Sequence, residues 1–505
     1  MSDVKAQGWV VYPIGSKPKM GLAILLGIQQ YLTMFGATVL IPFIVGGAMG
    51  LPQSELALLI STMFFVSGIT TLIQQSPLGN RLPIVQGGTF SFLGPMFAIV
   101  GMVSAQGLGW EIMIQQVSAA VMFASVFEIV LGYTGLMGYI KRAISPITIA
   151  PTIAMIGLAL YGIGAPWMAG NWTISMITLV ALVLYSQVFS RKSKVFLLFP
   201  VLLAILTGWI AAMIGTAAGW IPEGNAANVA GQADLIAAAP WFSLRPALPF
   251  KWGFPQLNAI TVAGAFGMLA GYLGSMIESI GDYYSCARIA EAPVPTEKMI
   301  SRGLGAEGLG CLIASLFQTC NGTTSYSENI GSIGLTRVAS RRVVRAGAIV
   351  MLVLPFFGKF GATLATMPQP VVGAMFVGLF GLIAAVGLSN LQFVNLNNSR
   401  NLFIIGIAFF AGLSFPAHFG AAAIDWSAAG KVAEVLGSIV QTILTTGMAV
   451  AAIFGIVLDN LLPGATREER GLTVWETEAT DEAWEKAEAE WAKMAVGEER
   501  KIIIE

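Results

Sequence analysis

The chain has 505 residues, of which 56% are hydrophobic and 11% charged, and its 27 basic and 27 acidic residues leave no net charge. A soluble domain carries roughly 25% charged residues, so the composition excludes an ordinary water-soluble globule, and the balance of charge gives no basic patch for nucleic acid. Three cysteines (Cys286, Cys311, Cys320) make no disulfide framework and no CxxC pattern, and a single histidine, His418, excludes a histidine-rich metal site.

Apolar stretches of about 20 residues, each long enough to cross a bilayer, recur from position 21 to 463. The polar first 19 residues do not read as a cleaved signal. Breaks at polar and Pro/Gly-rich stretches then divide the chain into about fourteen elements. In chain order they are 20–48, 55–75, 83–104, 113–134, 144–165, 172–190 and 195–218, then 257–282, 303–320, 325–336, 343–366, 369–389, 400–417 and 435–463. This gives a cytoplasmic N-terminus (1–19), a first half (20–218), a Gly/Ala/Pro-rich extracellular linker (219–256), a second half (257–463) and a charged cytoplasmic tail (464–505). The tail carries Trp484 and Trp491 seven apart and is expected to form a short amphipathic helix lying on the protein or the membrane surface.

Lysine and arginine gather in cytoplasmic loops. With both termini inside, Arg81, Lys141, Arg142, Arg191, Lys192, Arg337, Arg341, Arg342 and Arg345 all fall on that side, and only Arg245, Lys251, Lys359 and Lys431 fall outside. One span too many or too few would reverse the later loops and destroy the asymmetry. The expectation is a multi-pass protein of the cell membrane.

Polar backbone and charge within a bilayer are tolerated only around a cavity. Two segments violate the apolar pattern at matching places, the third element of each half. One is Pro83-Ile84-Val85-Gln86-Gly87-Gly88-Thr89-Phe90-Ser91-Phe92-Leu93-Gly94-Pro95, and the other runs from Asn321 to Gly334. Interrupted segments at corresponding positions of two halves point to a transporter's binding site, where helix N-termini aim N–H groups at a substrate. The bland alternative is that these glycines only let helices pack closely. Charge is the second violation. Glu278 and Asp282 lie one turn apart, Glu328 adds a third acid, and no Lys or Arg is expected beside them at membrane depth. A buried carboxylate without a basic partner holds either a proton or a cation, which suits a symporter. Glu128 and Asp459 fall near predicted cytoplasmic ends and are expected to reach the interface or pair structurally.

Residues Glu328 to Arg337 fit the pattern [Gln/Glu/Pro]-Asn-x-Gly-x4-Thr-[Arg/Lys/Gly] of the nucleobase–ascorbate transporter family, the nucleobase:cation symporter 2 group. Gln86–Phe90, Glu278–Tyr284 and Gly387–Phe393 resemble its animal branch, and the resemblance covers about 20–463. It implies an all-α polytopic fold: a seven-plus-seven inverted repeat with a core domain (elements 1–4 and 8–11) and a gate domain (5–7 and 12–14). It also implies short strands in the third and tenth elements, and a homodimer through the gate. By the same resemblance Glu278 and Glu328 bind the substrate, Phe90 packs on its ring and Ser327 offers its backbone, with Thr89 and Asn329 in the same two stretches. The expected coupling site is Asp282 with Glu278, Gln29 and Gln30 completing an oxygen shell. Gln29-Gln30 stands where many members carry Gln-His, so no imidazole is available there.

The substrate implied is a neutral nucleobase, of uracil type or broader and including purines such as xanthine. Its ring N–H groups suit Glu278 and Glu328, whereas three acids would repel ascorbate, the alternative cargo. No cofactor is expected beyond a coupling H+ or Na+, and no metal. An enzyme is not expected either, because there is neither a histidine cluster nor a G-x-S-x-G motif.

Overall fold

The structure, a computed structural model, describes residues 10–136, 144–158, 161–420, 430–475 and 480–498. Helices α1 (Met20–Met49) and α2 (Gln53–Gln74) come first, separated by a sharp turn at Gly50, whose φ of 66° suits glycine. The third element is a two-residue strand, β1 (Gln86–Gly87), then a 3-10 turn, then the half-length helix α3 (Leu93–Ala105). Next come α4 (Trp110–Thr134), the pair α5 (Pro146–Leu158) and α6 (Tyr161–Ala169), α7 (Trp172–Val183) and α8 (Pro200–Ala217).

The second half repeats the plan with α9 (Ala259–Ile289), α10 (Glu297–Leu316), strand β2 (Thr324–Ser325) and half-length α11 (Ser327–Thr336). It continues with α12 (Arg341–Val353), α13 (Gly358–Ala365), α14 (Gln369–Ser389), α15 (Ser399–Phe419), α16 (Lys431–Thr445) and α17 (Gly447–Leu461). All fourteen expected elements have a counterpart. Among the described residues eight helices are long and apolar enough to cross a membrane, or up to ten if each bent pair is one span.

Two expected single elements are broken. The eleventh, 343–366, bends by 85° between α12 and α13, and the fourteenth, 435–463, bends by 94° between α16 and α17. Pro355 sits in the 3-10 turn at the first bend and supplies a helix-breaking cause. At the second, Gly447 lies against the Gly412 carbonyl, where an added Cβ would come within 2.4 Å, and Thr446 adopts extended backbone.

Packing sorts the helices into two bodies. α1, α2, α4, α9, α10 and α12 pack on one another, and α5, α6, α7, α8, α14, α15 and α17 form a second group. α16 crosses over to lie on α9. The segment 10–19 and the tail meet at one end of the molecule, where Gly497 N donates to Lys17 O at 2.8 Å. The expected tail helix is α18 (Asp481–Ala492), and it lies on its own protein. Its Trp484 indole donates to Val294 O at 2.8 Å, and Glu488 pairs with Arg341 at 2.9 Å and Arg81 at 3.4 Å.

Candidate functional site

The two polar segments meet. β1 and β2 pair antiparallel, Gln86 opposite Ser325 and Gly87 opposite Thr324, and Tyr326 N donates to Val85 O at 3.1 Å. Glycine allows the crossing: a Cβ on Gly87 would sit 2.6 Å from the Tyr326 ring, and one on Gly322 2.3 Å from Phe92. Side chains then tie each loop to the other. Asn329 accepts from Val85 N at 3.0 Å and donates to Pro83 O at 3.1 Å, while Asn321 accepts from Thr89 N at 2.8 Å. Thr89 also caps the 3-10 turn that carries Phe90, accepting from Ser91 N at 3.2 Å.

Beside this crossing lies a cavity of about 620 Å³. β2, α9 and α11 line one wall, and α5 and α14 line the other. Glu278, Asp282, Ser327, Glu328 and Phe90 all face it. Ser327 Oγ donates to Asp282 Oδ1 at 2.8 Å, whereas Asp282 Oδ2 is buried with no hydrogen-bond partner. Phe90 meets Phe380 edge-on at 5.4 Å, Phe380 stacks on Phe376, and Phe376 packs on Trp167. This aromatic column joins the two bodies across the cavity. The lining runs along α9 from Ile277 to Ile289 and along α14 from Leu379 to Asn390, so the space extends toward the C-terminal ends of both helices, where α9 carries Arg288.

Four of the expected site residues stand elsewhere. Thr89 and Asn329 are fully buried and hold the strand crossing, with neither on the cavity wall. Gln29 and Gln30 are also absent from the lining, although Gln29 Nε2 and Gln30 Oε1 are buried without partners. Arg288 also lines the cavity, three turns along α9 from Glu278 and toward its far end. Glu128 does not reach an interface: it is fully buried against α10, where the Cys311 thiol lies 3.7 Å from its Oε2. Asp459 is paired as expected, to Arg400 and Arg470 at 2.8 Å each.

The residue that sequence reasoning missed is Glu307 on α10. It is buried behind β2, and its Oε1 accepts from Ser325 Oγ at 2.6 Å, Tyr283 OH at 2.8 Å and Gln86 Nε2 at 3.4 Å. Its Oε2 has no partner. The signal was present, since Gly-Ala-Glu-Gly at 305–308 puts a charge inside an apolar element. It lies outside both polar segments.

The arrangement is a metabolite-sized chamber between two packed bodies, whose lining among the described residues offers the carboxylates of Glu278, Asp282 and Glu328, the Phe90 ring and the Arg288 guanidinium. A model described as "Permease family" matches residues 21–421. Solute carrier family 23 member 2 of Mus musculus is 39% identical over 92% of this chain and 76% of its own length. Member 1 of Rattus norvegicus is 38% identical over 93% and 83%. Nucleobase-ascorbate transporter 1 of Arabidopsis thaliana is 35% identical over 92% and 91%. Among solved structures, the transmembrane domain of the cyanobacterium bicarbonate transporter BicA is similar with a TM-score of 0.54 at 14% identity, over 86% of this chain and 99% of that one. The overall structure of SLC26A9 gives a TM-score of 0.55 at 12% identity, over 87% and 66%. At such identities these two establish the inverted-repeat fold alone.

Proposed function

The chain belongs to the nucleobase–ascorbate transporter family of membrane permeases, and from that premise we propose that it carries a nucleobase by symport with H+ or Na+. The observation that supports this reading is the placing of Glu278, Glu328 and the Phe90 ring around one cavity of about 620 Å³ between the two packed bodies. A nucleobase is flat, neutral and edged with N–H donors. The carboxylates accept its N–H groups, and charge-assisted bonds of this kind contribute roughly 1.5–3 kcal/mol each. Phe90 covers the ring. Asp282, with one oxygen held by Ser327 and the other free, is the coupling group. The proton or cation that it takes up balances the acids when the base binds. Transport follows from sliding the body that carries α9, α11 and the strands past α5 and α14, in the manner of alternating access. We place both termini in the cytoplasm of a cell-membrane protein and expect a homodimer through the second body.

Ascorbate is the second reading, and one observation favours it. Arg288 stands at the cavity beside Ser389 and Asn390 of α14, within a stretch that resembles the animal branch. An anion would find a partner there.

The test is uptake of labelled uracil, xanthine and ascorbate into proteoliposomes. Sodium is replaced by choline at fixed pH, then the proton gradient is collapsed at fixed sodium. We expect one nucleobase to accumulate and one of the two treatments to abolish it. Glu328→Gln should weaken that uptake by roughly ten- to a hundredfold, the loss of one charge-assisted bond, and Asp282→Asn should remove the gradient dependence. Accumulation of ascorbate alone, or of a base under both treatments, would overturn the proposal.

A further inference from the structure

At the end of the molecule where segment 10–19 meets the tail, a crevice of about 450 Å³ opens between the end of α2 and the start of α12. Leu72, Gln75, Ser76, Pro77, Arg81 and Arg345 line it. We propose that it is a binding site for the phosphate of an anionic phospholipid.

Depth is the first argument. Leu78, in the loop beside the crevice, is exposed, and the half-exposed Tyr133 donates its phenol to Leu78 O at 3.1 Å. An apolar residue in the open next to a hydrogen-bonded tyrosine marks the level of the lipid headgroups. On α12, Arg345, Ile349 and Val353 are exposed at successive four-residue steps and form one stripe. Its two aliphatic members suit an acyl chain, and the arginine stands at the end where the headgroup lies.

Charge is the second. Arg81 and Arg345 line the crevice, the largely buried Arg341 stands behind with its Nε donating to Arg81 O, and one carboxylate, Glu488, serves Arg81 and Arg341. Arg345 makes no ion pair among the described residues. One nitrogen donates to Gln75 O at 3.0 Å, which aims the guanidinium along the crevice and leaves its other donors available. Two guanidiniums around a cleft at headgroup depth match a phosphodiester. A free phosphate shares that chemistry but gains nothing from the Ile349 and Val353 stripe, so the lipid is the assigned source.

The test is native mass spectrometry of the full chain in mild detergent with phosphatidylglycerol or phosphatidylcholine added. We expect one phosphatidylglycerol to stay bound at collision energies that strip phosphatidylcholine. Arg345→Gln should lower its occupancy about fivefold, near the contribution of one arginine at a membrane surface, and Arg345→Lys should keep most of it. Arg81→Gln is the second probe, with a loss of similar size expected. Equal occupancy in the wild type, Arg345→Gln and Arg81→Gln would overturn the site. Displacement of the lipid by inorganic phosphate at equal concentration would overturn the lipid assignment.

Discussion

At the scale of single residues, Glu307 ties β1, β2 and α9 together from behind the cavity. Three donors converge on one carboxylate oxygen, and although Gln86 Nε2 also donates to Ser325 Oγ, Glu307→Ala leaves the buried Ser325 and Tyr283 hydroxyls without an acceptor, at about 1–3 kcal/mol each. That variant is expected to lose its fold. Glu307→Gln keeps an acceptor of the same size but not the charge. It should fold, and its uptake should fall about tenfold because β2 is held less firmly beside the substrate. Thermal unfolding and uptake measured together separate the two effects. Outside the spans, Lys251 is largely buried, donates to Phe317 O at 2.6 Å and lies over the Trp252 ring. Burial pushes its ammonium down to about 7, and Arg245 pushes the same way against Cys320 and Glu55. The unfolded chain, at about 10.4, therefore binds this proton more tightly than the folded one. Stability should rise as pH climbs from 7 toward 10, and this contribution should be lost as pH falls through 7. Lys251→Met should flatten that slope in melting curves recorded between pH 7 and 9.5.

At the scale of elements, the strand crossing shows how backbone geometry makes a binding site. Polar backbone at membrane depth must be paired inside the protein, and β1 and β2 pair with each other. The pairing depends on Gly87, whose missing Cβ makes room for the Tyr326 ring. Gly87→Ala should force the strands apart at a cost of about 1–3 kcal/mol, the usual range for overpacking. It should lower the melting midpoint by several degrees and reduce uptake more than stability. Gly101→Ala is the control, because an added Cβ there meets nothing within 4 Å. No difference between the two variants would show that the crossing has slack.

At the scale of the whole molecule, orientation is the claim that most needs a measurement. The three native cysteines are buried, so an introduced cysteine gives a clean signal. Placed beside Arg81 or Arg191, it should react with an impermeant reagent only from inside the cell. The third loop cation of that argument, Lys141, lies outside the described residues. Labelling of either position from outside would break the fourteen-element topology there.

The sequence by itself determined the class of protein, the fourteen elements and the two polar interruptions, because each is a local departure from apolar composition that a bilayer forbids without a reason. It also singled out Glu328, Ser327 and Phe90 inside those interruptions and Glu278 and Asp282 as charges in the apolar α9, and all five line one cavity. Tertiary structure decided what local pattern cannot express. Thr89 and Asn329 look like ligands in the sequence, yet their hydrogen bonds are spent on the opposite loop. Glu307 and Arg288 acquire meaning only from what the chain brings against them, across 18 and more residues for Ser325 and Tyr283 and across the gap between α9 and α14 for Arg288. The bends at 357 and 446 have local marks, Pro355 with Gly358 and Lys359 at the first and Thr445-Thr446-Gly447 at the second, but how far the axis turns there depends on packing against other helices.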